Sequence, residues 1–299
     1  NSNIDKILVK AVTNSELREN EIAQLFAARD GEIGQIANAA NELRQKVNGD
    51  TVSYVVTRNI NYTNICYFKC QFCAFSKGKM SENLRGRPYD LALDEIVRRA
   101  REAWERGAVE VCLQGGIHPK YTGKTYLNIL KSIKAELPNI HIHAFSPLEI
   151  QQGAQTLGLS IAEFLEQLIE SGLGSLPGTA AEILDDEVRQ YLCKDKLTTR
   201  EWFDVVGTAH KMGLKTTATI MFGHIEHPRH WAKHLLRLRE QQKLTEGFTE
   251  LVPLPFVHME APIYLKGNSR RGPTWRETVL MHAVSRLTLH PHFDNIQTS

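Results

Sequence analysis

The stretch Ala92-Leu-Asp-Glu-Ile-Val-Arg-Arg-Ala-Arg-Glu-Ala-Trp-Glu-Arg-Gly107-Ala-Val-Glu-Val-Cys-Leu-Gln-Gly-Gly116 holds one complete helix-to-strand unit. Ile96, Val97, Ala100, Ala103 and Trp104 recur at helical spacing, so about 92–106 reads as a helix with one apolar face, stopped at Gly107. Val109 to Leu113 then reads as a strand that ends on Gly115-Gly116. The same alternation runs outward in both directions. Upstream, 51–58 is β-branched and aromatic and reads as a strand, preceded by two helices over 14–48 that Gly31 separates. Downstream come a helix at 124–136, a strand at 140–145, and a helix opened by Ser160 and Glu163 as a capping box. That helix buries Ile161, Phe164, Leu165, Leu168 and Ile169 and stops at Gly172. A short strand at 173–176 and a helix opened by Thr198 and Glu201 follow, then a strand at 215–222, a helix at 228–242, a strand at 249–257, a helix at 274–289 and a strand start at Asn295. Repeated βα units imply right-handed crossovers and a parallel sheet. Six or seven of them in about 250 residues fit a (β/α) TIM-like barrel, closed or partly open, better than a doubly wound sheet. The expected organisation is a helical extension over 1–50 packed on a barrel over 51–299. The chain begins without Met and stops at Asn295-Ile-Gln-Thr-Ser299, which reads like the inside of a strand, so the barrel is expected to be truncated at its C-terminus.

Composition narrows the classes. Of 299 residues, 42% are hydrophobic and 23% charged, and Lys plus Arg at 36 nearly balance Asp plus Glu at 34. A net charge of +2 gives no general pull toward nucleic acid, and normal hydrophobicity excludes a disordered chain. No apolar run reaches the length of a membrane span, and five cysteines are too few and odd in number for a disulfide scaffold. With no secretory pattern in the first residues, a reducing cytoplasm is the default expectation.

Cys66-Tyr-Phe-Lys-Cys70-Gln-Phe-Cys73 carries the chemistry. It follows the first strand, where a barrel places its active face. Three thiolates within eight residues converge on one centre only from a loop. Four cysteines would close a structural zinc or ferredoxin site, whereas three on a four-iron cluster leave one iron open to a substrate. Three readings stand side by side: buried thiols by coincidence, a zinc site completed by His118, and an open four-iron cluster. Cys112 and Cys193 read as core filling.

The C-x3-C-x2-C run, with an aromatic before its last cysteine at the end of the first barrel strand, resembles the signature of the radical S-adenosylmethionine (radical SAM) superfamily. That resemblance implies a [4Fe-4S] cluster on Cys66, Cys70 and Cys73 whose open iron chelates the amino and carboxylate groups of S-adenosylmethionine (SAM). Phe72 matches the position beside the adenine, and Gln114-Gly115-Gly116 matches the segment that meets the methionine amino group. The resemblance narrows through six further runs: Arg58-Asn-Ile-Asn-Tyr-Thr-Asn64, Leu113-Gln-Gly-Gly-Ile-His-Pro119, His143-Ala-Phe-Ser-Pro-Leu-Glu149, Gly172-Leu-Gly-Ser-Leu-Pro-Gly-Thr-Ala-Ala-Glu-Ile-Leu184, Met221-Phe-Gly-His-Ile-Glu226 and Gly247-Phe-Thr-Glu-Leu-Val-Pro-Leu-Pro-Phe-Val-His258. Together these are similar to the deazaflavin (FO) synthase group, in its CofH-type subunit or the matching half of a fused enzyme. Glu246 departs from the glycine usual before Gly247-Phe248. The implied reaction cleaves L-tyrosine and couples its 4-hydroxybenzyl group to 5-amino-6-(D-ribitylamino)uracil. It implies an external electron donor and a CofG-type partner that closes the ring. The menaquinone-pathway enzymes aminofutalosine synthase and dehypoxanthine futalosine cyclase share the general pattern and form the competing reading.

Polar residues at the C-terminal ends of barrel strands are the further candidates for contact with cofactor or substrate. Ser146 and Glu149 follow the third strand, Thr179 and Glu182 the fourth, His224 and Glu226 the fifth, and His258 the sixth. Glu149 and Glu182 suit the ribose of SAM or the ribityl chain. His224 and His258 suit the tyrosine phenol or a proton transfer. Each has a plainer alternative: Ser146 before Pro147 suits a helix cap, Glu182 a first helical turn, and His258 a loop. His227, His230 and His234 read as a polar helix face, and Trp104, Trp202 and Phe203 as packing residues.

Overall fold

The computed structural model describes residues 3–74 and 87–298. In chain order the elements are α1 (Asn3–Val12), α2 (Glu19–Ala27), α3 (Gly31–Asn48), β1 (Thr57–Asn61), α4 (Leu93–Glu105), β2 (Glu110–Gln114), α5 (Gly123–Glu136), β3 (His141–Ala144), α6 (Pro147–Leu157), α7 (Ile161–Glu170), α8 (Asp186–Leu192), α9 (Thr199–Lys211), β4 (Thr216–Phe222), α10 (Pro228–Thr245), β5 (Phe248–Pro255), α11 (Pro262–Leu265) and α12 (Trp275–Leu289). The chain forms two compact units. One comprises residues 53–180 and 193–216; the other comprises 1–52, 181–192 and 217–299. Residues 1–52 thus group with the C-terminal part of the chain.

In the first unit β1, β2 and β3 pair in parallel in that order. Single bridges continue the pairing from His143 to Ser175 and from Leu176 to Thr216, which is all that forms of the short strand expected at 173–176. The strands alternate with period 2. Ile60, Val111, Leu113, Ile142 and Ala144 are buried in one core with the apolar faces of α4, α5 and α7. Residues of the opposite parity, Asn59, Asn61, Glu110, Cys112, Gln114, His141 and His143, make the other face polar and partly exposed. A parallel sheet covered on both faces would be apolar on both. This sheet reserves one face for something other than helices.

In the second unit the N-terminal helices pack against α10 and α12. Phe26 meets Trp231 edge-on at 5.0 Å, and the Arg276 guanidinium donates to the carbonyls of Phe26 and Ala28. β4 and β5 form a two-stranded sheet, and Leu251 bridges to Ile296 in parallel, which bears out the strand start read near Asn295. Among the described residues no helix is long and apolar enough to cross a membrane.

Several local readings change. The strand expected at 51–58 forms at Thr57–Asn61 instead, and Val52, Tyr54, Val55 and Val56 are exposed. Register with β2, running from Thr57 opposite Glu110 to Asn61 opposite Gln114, sets the strand, and the β-branched run lies outside it. Helix α6 was not legible as such. Its middle carries Gly153, whose missing side chain makes room for the Phe164 ring, since a Cβ there would lie 2.4 Å from that ring. Trp104 is exposed at the end of α4, and Ile169 is exposed on α7. The histidines of α10 are not a polar outer face. His234 is fully buried, accepting the Leu184 N–H at Nδ1 and meeting the Thr219 carbonyl at Nε2, and His230 is buried beside Glu187.

Buried histidines make the fold acid-sensitive. Burial lowers His143 and His210 from 6.5 to about 4 and His234 to about 3. A base whose value falls on folding contributes stability that is present above its ordinary value and lost as pH drops through the folded value. The midpoint of urea denaturation is thus expected to hold between about pH 8 and pH 7 and to fall progressively between about pH 6.5 and pH 4. A midpoint that stays constant to about pH 4 would contradict neutral histidines in the interior.

Candidate functional site

The site grows from one carboxylate. Ser146 caps α6, accepting the Glu149 N–H, and Glu149 turns back to accept the Ser146 N–H at 2.7 Å and its hydroxyl at 2.7 Å. The capping alternative for Ser146 is what the structure shows. Glu149 does more than close the box. Its other oxygen accepts the Gly115 N–H at 3.1 Å and the Tyr62 hydroxyl. One fully buried carboxylate thus ties together the ends of β1 and β2 and the start of α6. Burial pushes the Glu149 carboxyl above its ordinary value, against the pull of these donors. Burial and the Glu149 charge push the Tyr62 phenol far up, so it keeps its proton and donates.

The cysteine loop leaves from this knot. The Thr63 carbonyl accepts the Gly116 N–H at 2.9 Å, and the Tyr67 N–H donates to the Ile117 carbonyl at 3.1 Å. Gly115 and Gly116 permit the approach. A Cβ on Gly115 would lie 2.4 Å from the Tyr62 ring, and one on Gly116 would lie 2.4 Å from the Ile65 carbonyl oxygen and 2.9 Å from the Cys66 Cβ. In this structure the neighbours that need the bare backbone are therefore the chain's own Tyr62 and Cys66. Cys66, Cys70 and Cys73 are all half-buried, with a turn from the Cys73 N–H to the Cys70 carbonyl at 3.3 Å.

The three sulfurs are too spread for one ion. Among the described residues, the side-chain sets whose ligand atoms lie within 4.8 Å of one another include neither these cysteines nor His118. A tetrahedral zinc needs sulfurs about 3.8 Å apart. His118 instead accepts the Lys120 N–H and stacks on Tyr121 at 4.9 Å. As they stand, the three sulfurs are not drawn together in the way a single tetrahedral ion would need.

The remaining candidates are placed as follows. The Gln114 side-chain oxygen Oε1 accepts the Thr179 hydroxyl at 2.7 Å, and the Trp202 indole N–H donates to the Thr179 carbonyl at 3.0 Å, so the end of β2 meets the segment that follows Leu176. The Lys196 ammonium lies 5.1 Å from the centre of the Phe72 ring, a partner that nothing in the local sequence announced. Burial raises the Cys112 thiol to about 11, although it lies on the polar face of the sheet and not in the core, whereas Cys193 is buried.

In the other unit, Glu182 lies before α8, not in its first turn. It takes a left-handed backbone, and its carbonyl accepts the Met221 N–H. His224 is fully buried. Its Nε2 meets the Met221 carbonyl at 2.9 Å, and its Nδ1 lies 2.8 Å from both the Ile225 nitrogen and Glu226 Oε2, so the ring forms a buried histidine–carboxylate pair. Burial works to raise Glu226, yet the adjacent His224 and backbone N–H groups hold it at about 2. His258 is half-buried with its ring edge 4.5 Å from Tyr264, and among the described residues no hydrogen bond engages its ring nitrogens.

Comparison with known proteins accords with this geometry. The family model described as "Radical SAM superfamily" matches residues 60–238, from β1 through the cysteine loop into α10. The 5-amino-6-(D-ribitylamino)uracil–L-tyrosine 4-hydroxyphenyl transferase of Methanocaldococcus jannaschii is 48% identical over 95% of this chain and 79% of its own length. The chain belongs to the radical SAM superfamily, in the family of that transferase. FO synthases of Streptomyces coelicolor and Mycobacterium tuberculosis are each 48% identical, over 95% and 94% of this chain. The chain spans about a third of the length of these FO synthases, 32% in each case. Among solved structures, methylornithine synthase (PylB) matches 98% of this chain and 85% of its own at TM-score 0.69 and 16% identity. The hydrogenase maturase HydG of Carboxydothermus hydrogenoformans matches 99% of this chain and 65% of its own at TM-score 0.71 and 18% identity. At such identities the likeness shows the fold, which is the partial (β/α) barrel type expected. The radical SAM loop here fits a [4Fe-4S] cluster in its donor set: three thiols from one loop, backed by Gly116, where a Cβ would meet the Ile65 carbonyl and Cys66.

Two variants test this construction. Gly116→Ala forces Ile65 and Cys66 aside, and iron bound after anaerobic reconstitution is expected to fall about tenfold or more. Glu149→Gln strands buried donors and is expected to cost about 1–3 kcal/mol in denaturant unfolding. Wild-type iron content in the first variant, or unchanged stability in the second, would contradict the roles given to these residues.

Proposed function

We propose that the chain transfers the 4-hydroxybenzyl group of L-tyrosine to 5-amino-6-(D-ribitylamino)uracil, the tyrosine-cleaving step of deazaflavin synthesis. The observation that carries the reading is the 48% identity to the Methanocaldococcus transferase named for this reaction, over 95% of this chain. The cysteine loop, the Gly115-Gly116 backbone and the polar face of the first sheet support it.

Cys66, Cys70 and Cys73 would hold the [4Fe-4S] cluster, with one iron left for the amino and carboxylate groups of SAM. Bound together, cluster and SAM supply a one-electron cleavage that yields a carbon radical able to take a hydrogen atom from tyrosine. The chain's own residues position and protect. Main-chain pairs at Thr63–Gly116 and Tyr67–Ile117 anchor the start of the loop on either side of Cys66. Phe72 offers its ring to the adenine, and Gln114 with Gly115 and Gly116 offers polar backbone and amide groups to the methionine end. Glu182 is assigned to hydroxyl groups of ribose or ribityl, which a carboxylate accepts from. His258, half-buried beside Tyr264, is assigned the proton transfer, a role that imidazole chemistry suits. An external electron donor and a CofG-type ring-closing partner complete the scheme, and a reducing cytoplasm suits the three thiolates.

Mass spectrometry of an anaerobic reaction tests the reading directly. Protein reconstituted with iron and sulfide receives SAM, a reductant, tyrosine and the ribitylaminouracil. A hydroxybenzyl–uracil adduct with 5′-deoxyadenosine is expected. Deoxyadenosine without the adduct would overturn the substrate assignment and turn attention to futalosine-type nucleosides. Neither product, from cluster-loaded protein, would overturn the enzyme reading. The histidines separate in the same assay: His258→Asn is expected to lower kcat by about a hundredfold at unchanged iron content. His224→Asn is expected to lower folding stability by about 1–3 kcal/mol instead.

A further inference from the structure

The polar face of the first sheet carries a second constellation, at the end of the strands opposite to the cysteine loop. Glu110 opens β2 and His141 opens β3, and the parallel register sets them side by side. His143 lies two residues on, on the same face. The Glu110 Oε2 atom is 3.8 Å from His141 Nε2, and one ligand atom from each of the three residues lies within 4.8 Å of the others. His141 Nε2 and His143 Nδ1 converge on the Ser175 hydroxyl at 2.8 and 2.6 Å. A hydroxyl has one proton, so it donates to one imidazole and accepts from the other. Two imidazole nitrogens and a carboxylate oxygen thus face one small volume.

We propose that Glu110, His141 and His143 form a metal site for a single divalent ion of the zinc class, separate from the cysteine cluster. Two histidines and one carboxylate are a donor set that zinc takes with an open fourth position. Here the fourth position faces the Ser175 hydroxyl. The rings are already oriented. The His141 imidazole packs against Gly174, where a Cβ would come within 2.5 Å of it, and Ser175 holds the facing nitrogens of both rings. An entry path exists, because His141 is 45% exposed and Glu110 is 20% exposed. The charge is also available. Among the described residues no Lys or Arg lies within ion-pair distance of Glu110. The other Asp/Glu/His grouping, Asp185, Glu187 and His230, differs on this point. There Lys233 and Arg237 sit on Asp185 and Arg229 on Glu187, so its carboxylates are already compensated. An ion at Glu110, His141 and His143 would tie β2, β3 and the Ser175 segment together beneath the substrate face.

Cobalt(II) is the probe, since its visible spectrum reports coordination number and thiolate ligation. Anaerobic, cluster-loaded protein, whose loop cysteines are occupied, is titrated with cobalt. A parallel sample with its exposed thiols alkylated is titrated without the cluster, so that failure of the cluster reading leaves this result standing. One equivalent is expected, with an intense four-coordinate band, no thiolate charge-transfer band, and displacement by zinc. Glu110→Gln and His141→Asn, both at partly exposed strand starts, are each expected to weaken binding about tenfold or more. Wild-type protein that binds no cobalt in either sample would overturn the proposal, and so would a band with thiolate character. Equal binding by the variants would overturn it too. The wild-type stoichiometry decides even where a variant fails to fold.

Discussion

Everything at the active end of the first sheet hangs on the buried carboxylate of Glu149. A lone carboxylate in an apolar core is costly, and this one is tolerated because Tyr62, Gly115 and Ser146 turn their donors onto it. The arrangement couples three chain segments that are distant in sequence. Tyr62 closes β1, Gly115 closes β2, and Ser146 opens α6. With those ends fixed, the Thr63 carbonyl meets Gly116, and the cysteine loop leaves β1 along a set path. The glycines follow from the same constraint: Gly115 yields to the Tyr62 ring and Gly116 to the start of the cysteine loop. Both glycines are thus needed by the chain's own packing before any ligand is considered.

The second organising feature is the asymmetry of the sheet. Val111, Leu113, Ile142 and Ala144 face the helices and supply the burial that stabilises the unit. The alternate positions are polar, at a cost in apolar burial that the fold recovers elsewhere through four Ser/Thr-to-Glu capping boxes, at α6, α7, α9 and α12, and through tightly packed helices. That polar face runs from Glu110 and His141 at one end to Gln114 and Thr179 at the other. The Gln114 end is the one that lies beside the cysteine loop.

Much of this was legible in the sequence where the signal is local. Helices α4, α5, α7, α9, α10 and α12 follow from apolar spacing, glycine stops and capping boxes, and the cysteine loop follows from its spacing. Family resemblance extended the reading to Gln114, Gly115 and Gly116. Illegible were the features that depend on pairing across the chain. The exposed run Val52–Val56 has every local mark of a strand, yet register with β2 begins only at Thr57. Tyr62 shares the parity of Ile60, which hinted at an inward side chain, but no local rule couples it to Glu149. His224 and His258 look alike at strand ends; only the folded chain separates a fully buried ring paired with Glu226 from a half-buried ring beside Tyr264. The Lys196 contact on Phe72 joins residues more than a hundred positions apart and leaves no trace in composition.

The central claim is that the loop held by Glu149 and Tyr62 presents three thiolates to a four-iron cluster with one iron open. Electron paramagnetic resonance of the reduced, anaerobically reconstituted protein, recorded with and without SAM, tests it most directly. The account predicts a [4Fe-4S]+ signal whose g-values shift when SAM is added, because the cofactor binds the open iron. A four-iron signal that ignores SAM, or iron that never assembles on Cys66, Cys70 and Cys73, would contradict it.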